Sequence, residues 1–161
     1  MLYIEMEEVV EQSDQPPPMV SIAGHAGDCH AWLETHISDA LHFLQKPNSE
    51  LSVRIVDDNE MSALHREHSG IAGATDVLTF DHGSTDQAII ADIAICEDVA
   101  IREAKNHTHS LQEELLLYIV HGILHCMGFD DHEDEAHKQM HEEEDRVLTA
   151  IGVGAIWSKI S

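Results

Sequence analysis

Hydrophobic positions along the chain switch between two spacings, and each switch marks a new element. Leu2, Ile4 and Met6 alternate as in a strand, and the polar EQSDQPPP (11–18), ending in three prolines, reads as a loop or linker. From Cys29 the period lengthens. Leu33, Ile37, Ala40, Leu41 and Leu44 share one side of a predicted helix, which Lys46-Pro47-Asn48 stops. LSVRIVDD (51–58) returns to alternation, with Leu51, Val53 and Ile55 on one face of a strand. Asp57 or Asp58 then caps a helix over NEMSALHREH, because a short carboxylate can accept from the free amides of a first turn. GIAGA (70–74) breaks that helix, TDVLTF (75–80) predicts a strand, and HGSTDQ a loop. AIIADIAI (88–95) is apolar throughout except for Asp92, as expected of a strand in the interior of a sheet.

The second half is predominantly helical in pattern. EDVAIREAKN carries acids at its start and Lys105 near its close, the distribution that suits a helix dipole. Ser110 and Glu113 have the spacing of a capping box. The helix they open has a broad apolar stripe of Leu115, Leu116, Ile119, Val120, Ile123 and Leu124. Gly128 fits a helix stop, and a last helix is expected through EDEAHKQMHEEEDRVLTAIG. No internal repeat is present. The elements predict an α+β fold, a small mixed β-sheet of about four strands packed with helices. At 161 residues the chain (1–161) fits one domain.

Composition narrows the partners. Hydrophobic residues make up 43% but aromatic ones only 4%, so the core must be mostly aliphatic. No run approaches the roughly 20 apolar residues of a membrane span. The start, MLYIEMEEVVEQSD, lacks the basic residues and cleavage site of a secretory signal. A soluble, cytoplasmic protein with no membrane partner is expected. With 8 basic against 31 acidic residues the net charge is −23, and there is no basic stripe for a nucleic-acid backbone. That argues against DNA binding, but not against an enzyme that touches a few nucleotides at a metal or is delivered by a partner. An acidic surface also serves solubility. Cys29, Cys96 and Cys126 are odd in number and far apart, which suggests neither disulfides nor a cysteine-rich zinc site. Cys126 falls about 100° round a helix from His125 and reads as a packed thiol.

The candidate chemistry lies in HGILHCMGFDDH (121–132). His121 and His125 project from the same side of a helix about one turn apart, and such a pair can bind one divalent ion. Gly128 supplies the reversal that brings a third ligand, Asp131 or His132, back toward them. Three protein ligands plus an open position is the arrangement of catalytic zinc. With 14 histidines in the chain such spacings arise by chance, and His137 and His141 repeat it on an acidic helix expected to face solvent. The pair at 121 and 125 differs because its helix is apolar, where two unpartnered imidazoles would be costly. Zinc proteases carry a general-base glutamate after the first histidine, in HExxH. Here that position is Gly122, which disfavours peptide hydrolysis. The glycine leaves room either for a bulky substrate or for close helix packing.

HGILHCMGFDDH resembles the H-G-x-L-H-x-x-G-(Y/F)-D-H signature of the YbeY-type bacterial endoribonucleases. LSVRIVDDNEMSALHREH resembles that family's strand and helix, TDVLTF its T-D-V-L-S-F strand and ADIAI its G-D-I-x-I strand. The order and spacing agree over residues 50–145, while the preceding residues match only in general character. The resemblance implies a zincin-like metal site on a helix and turn, holding one Zn2+ per chain. It also implies a metal-dependent endoribonuclease, specific for single strands, acting in small-subunit rRNA 3′-end maturation and ribosome quality control. Single-stranded RNA and the ribosome or its associated proteins would be the partners. His121 and His125 match the first two zinc ligands. The third departs from the pattern: counted without a gap the last histidine falls on Asp131, whereas a gap in the turn aligns His132. The continuing match to Met140 favours the ungapped count. The family's Y-R-G falls on His68, Ser69 and Gly70, so Ser69 stands where the arginine would. Arg66, a helical turn earlier, is the candidate for phosphate contact, beside its reading as a solvated surface arginine. Asp76 and Asp92 also match family positions and read as caps of backbone amides. Two rivals are a metal hydrolase of another substrate and a ribosome-associated binding protein with structural zinc.

Overall fold

The computed structural model describes residues 16–160. Its elements run β1 (Met19–Gly24), a 3-10 turn (Gly27–Cys29), α1 (His30–Phe43), β2 (Glu50–Val56), α2 (Asp58–Ser69), β3 (Val77–Asp81) and β4 (Ile90–Cys96). They continue with α3 (Glu97–His107), α4 (Leu111–Cys126), α5 (Asp134–Ala150) and the short α6 (Trp157–Ile160). The alternation at Leu2, Ile4 and Met6 lies outside the described residues.

The four strands form one mixed sheet in the order β1-β2-β4-β3. β1 pairs parallel to β2, β2 parallel to β4, and β3 antiparallel to β4. β4 therefore has a neighbour on each side, the interior position its apolar sequence predicts. β1 lies where the hydrophobic pattern predicts no strand. It is an edge strand of MVSIAG in which only Val20 and Ile22 pack on the core, and its partner β2 is far away in sequence. Six residues of weak alternation carry too little local signal for such a pairing.

One face of the sheet meets α1 and α4. Leu51, Val53 and Ile55 of β2 and Ala91, Ile93 and Ile95 of β4 are buried there, in one cluster with Leu33, Ile37 and Leu41 of α1 and the α4 stripe. The core is aliphatic, as the low aromatic content requires. On the opposite face α2 covers only one end, where Met61 packs with Val56, Ala94 and Cys96. Ser52, Arg54 and Asp92 on that face remain exposed.

Two helix starts are fixed by reciprocal caps. Asp57 accepts from the Glu60 amide at 2.9 Å while Glu60 accepts from the Asp57 amide at 3.2 Å. Ser110 and Glu113 do the same for α4, at 3.1 and 2.9 Å. α4 runs through the middle of the molecule with every residue from 114 to 120 buried. Its length and direction set where His121 and His125 stand. Among the described residues no helix is long and apolar enough to cross a membrane.

Candidate metal centre

His121 and His125 lie on the last turns of α4, both part-buried, with their Nε2 atoms 2.9 Å apart. Each ring is held from behind. His121 Nδ1 lies 3.3 Å from Glu144 Oε1, and His125 Nδ1 lies 3.0 Å from the Phe129 carbonyl oxygen. A carboxylate and a carbonyl can only accept, so both Nδ1 atoms carry a proton and donate. Neutral rings of that tautomer have bare lone pairs on both Nε2 atoms. Two lone pairs at 2.9 Å repel unless a proton or a metal cation lies between them. Burial opposes a second proton on His121, but the Glu144 hydrogen bond and the charges of Glu144, Asp131 and Asp76 outweigh it and hold the pKa above the ordinary histidine value.

Asp131 adds its carboxylate to this pair, with Oδ2 3.4 Å from His121 Nε2 and Oδ1 3.8 Å from His125 Nε2. One ligand atom from each of the three residues falls within a 4.8 Å span. The turn that brings it there follows from local chemistry. Gly128 takes a φ of 98°, open to glycine at little cost, and the Phe129 amide bonds back to the Leu124 carbonyl at 3.1 Å. Asp130 Oδ1 then accepts from the amides of Asp131 and His132, at 2.7 and 3.2 Å, a side-chain turn that directs Asp131 inward. His132 is 84% exposed and faces Asp130 at 3.5 Å. Two imidazole nitrogens and a carboxylate oxygen form a donor set that fits zinc.

Behind His121 stands a group that sequence reasoning missed. Glu144 of α5 is 1% exposed, and besides His121 it accepts from His141 Nδ1 at 3.1 Å and Trp157 Nε1 at 3.3 Å. His141 stacks on the Trp157 ring with centroids 3.7 Å apart. The signal was present: Met140, Glu144, Val147 and Leu148 have helical spacing on the buried face of α5, and one acid among three apolar residues marks a charge that needs partners. It was hidden by the run HEEED around it.

Gly122 is buried against the sheet. A Cβ there would stand 2.7 Å from Thr79 Oγ1 and 2.8 Å from Ile93 Cδ1. Of the two uses expected for this glycine, the structure has close helix packing, and the room near His121 comes from elsewhere. Two cavities meet at His121 and Asp131. One, of about 450 Å³, is lined by Asp76, Glu103, Glu114, Tyr118 and His141 among others. The second, of about 570 Å³, includes His68, Asp76, Asp81, His125 and His132.

The other sequence-derived candidates are placed as follows. Arg66 is exposed on the last turn of α2 and lines neither cavity. Ser69 donates to the His65 carbonyl at 2.8 Å. Asp76 accepts from the Val77 amide at 2.8 Å, an amide cap, and also lines both cavities. Asp92 is exposed and pairs with His82 at 3.0 Å. Cys126 is not in the three-residue group. Burial, with the nearby Asp81 carboxylate, pushes its thiol pKa up.

Comparison with known proteins gives a consistent family. The family model described as endoribonuclease YbeY matches residues 22–152, from inside β1 to just beyond α5. Endoribonuclease YbeY of Beutenbergia cavernae is 33% identical over 153 residues, covering 89% of this chain and 97% of that protein. The protein of the same name from Thermobifida fusca is 36% identical over 127 residues, covering 73% and 81%. That of Pseudarthrobacter chlorophenolicus is 41% identical over 114 residues, covering 65% and 73%. The solution structure of TM1509 from Thermotoga maritima matches with a TM-score of 0.61 over 83% of this chain and 87% of that one. At 23% identity this last likeness concerns the fold.

Proposed function

The chain belongs to the YbeY endoribonuclease family, and from that premise we propose that it cuts single-stranded RNA at one zinc ion held by His121, His125 and Asp131. The observation that carries this reading is the pair of Nε2 atoms facing each other at 2.9 Å, both rings fixed by acceptors at Nδ1, with the Asp131 carboxylate beside them. Bound zinc would supply a Lewis acid toward the phosphodiester. His121 and His125 would present their Nε2 lone pairs to it because their other nitrogens are already committed, and Asp131 would contribute negative charge. A structural zinc calls for a fourth protein ligand. His132 is exposed, pairs with Asp130 and lies outside the group of His121, His125 and Asp131, and cavities adjoin His121, which favours an open position over a closed one.

Gly122 offers no proton acceptor and is packed against Thr79 and Ile93, which favours RNA over peptide as substrate. The surroundings of the site are rich in carboxylates, so the chain's own attraction for a phosphate backbone is small. Arg66 is the proposed backbone contact, reached outside the two cavities. The remainder of the affinity comes from the ribosome or a ribosome-associated protein. This fits a cytoplasmic role in small-subunit rRNA 3′-end maturation and ribosome quality control.

The test is cleavage of a single-stranded RNA oligonucleotide by purified, zinc-loaded protein. Cutting that is lost in His121→Ala and on chelation supports the reading, and undiminished cutting by His121→Ala overturns it. Analysis of the product ends identifies the attacking group, since a 2′,3′-cyclic phosphate requires attack by the neighbouring 2′-hydroxyl.

A further inference from the structure

We propose that Glu144 is the positioning residue that holds His121 as an Nε2 ligand, and that Trp157, near the C-terminus, belongs to the same device. The inference rests on the metal reading above and goes beyond it, because it assigns a task to two residues outside the ligand set.

A carboxylate that is 1% exposed must find compensation in hydrogen bonds. Glu144 has three donors around it: His121 Nδ1 at 3.3 Å and His141 Nδ1 at 3.1 Å on Oε1, and Trp157 Nε1 at 3.3 Å on Oε2. As a carboxylate Glu144 offers acceptors only: Oε2 accepts from the indole N–H, which can only donate, and Oε1 accepts from both imidazoles. With Nδ1–H of His121 committed to Oε1, its lone pair stays on Nε2, toward His125 and Asp131. A metal-ligating histidine whose other nitrogen is held in this way keeps both tautomer and ring orientation.

Trp157 is itself held from the adjoining position. Asp145 accepts from the backbone amides of Ile156, Trp157 and Ser158, at 2.8, 3.0 and 3.0 Å. Consecutive residues of α5 thus grip one segment, Asp145 by its backbone and Glu144 by its indole. His141 closes the arrangement by stacking on Trp157 while sharing Oε1 with His121. Trp157 lies past residue 152, where the match to the family model ends. The chain therefore supports its metal ligand with a segment beyond the matched region.

The experiment measures zinc affinity by competition with a chromophoric chelator, together with ring 15N shifts of His121 in the metal-free protein. Glu144→Gln is expected to weaken zinc about 10-fold or more, the range typical of an outer-shell partner. Its amide must turn an N–H2 toward either the indole or the imidazoles, setting donor against donor. Trp157→Phe removes the competing indole donor, so the double variant should recover part of the affinity lost in Glu144→Gln. A purely structural role predicts losses that add, with no such recovery. The 15N shifts should show a proton held on His121 Nδ1 in the wild type, and a changed proton distribution in Glu144→Gln. Normal zinc uptake by wild type, with Glu144→Gln within twofold of it or with additive losses, overturns this proposal alone. Absence of zinc uptake by the wild type overturns the metal reading, and this proposal with it.

Discussion

Asp131 and His132 are neighbours in sequence with different partners: Asp131 lies 3.4 Å from His121 Nε2, and the exposed His132 lies 3.5 Å from Asp130. The divergence follows from Asp130, whose carboxylate accepts from both following amides and so fixes the turn. Asp131→Ala should therefore weaken zinc binding by more than the roughly 10–100-fold cost typical of an outer-shell partner. His132→Ala should leave it within twofold. Zinc titration of the two variants decides between them, and the reverse ranking would transfer the third ligand to His132.

Much of this arrangement was legible because it is local. The Ser110–Glu113 capping box, the aspartate cap at 57 or 58, the α4 stripe and the i, i+4 histidines all depend on residues within a turn or two of each other. β1 was not legible, since six residues with two inward apolar side chains acquire their place only through parallel pairing with β2. Glu144 stayed hidden because its partners come from three places: α4, its own helix and Trp157. Direction was the other missing quantity. Spacing shows that Asp131 and His132 both follow a reversal, but the side chain of Asp130 sets which one faces the imidazoles.

Gly122→Ala should destabilise the fold. The added methyl would stand 2.7 Å from Thr79 Oγ1 and 2.8 Å from Ile93 Cδ1, and overpacking of this kind costs about 1–3 kcal/mol. Ile93→Val removes the Cδ1 atom, so the pair Gly122→Ala with Ile93→Val should lose less than the two single losses combined. Urea unfolding measures all three. Gly122→Glu, which restores the protease-like HExxH spacing, should impair folding rather than create peptidase activity, because its side chain would start inside the sheet contact.

The Cys96 thiol should be close to inert in the native state. Burial pushes its pKa up to about 11, with the Asp58 carboxylate opposing the thiolate further. At pH 8 the reactive thiolate is then about 0.1% of the population. Iodoacetamide followed by mass spectrometry should label it slowly in folded protein and readily in urea. The same shift has a consequence for stability. The folded thiol holds its proton above the ordinary value of 9.0, so its contribution is complete below that pH and is lost as pH rises toward about 11. Unfolding free energy should fall across that window, and Cys96→Ala should flatten the decline.

RNA binding by the isolated protein should be weak and only slightly sensitive to salt. Each phosphate neutralised by a cationic side chain contributes about −0.7 to the slope of log affinity against log salt for a single strand. With 8 basic against 31 acidic residues, and no arginine or lysine among the residues lining the two cavities beside His121, the chain can neutralise very few phosphates. A slope of about −1 or flatter is expected by fluorescence anisotropy between 50 and 200 mM salt. Stripping the metal should remove most of the remaining affinity, and Arg66→Ala should reduce the slope by less than one unit. A slope as steep as those of basic RNA-binding domains would contradict the view that this chain relies on its metal and a partner to hold RNA. Restoration of tight binding on adding small ribosomal subunits would identify where the missing positive charge or contact surface comes from.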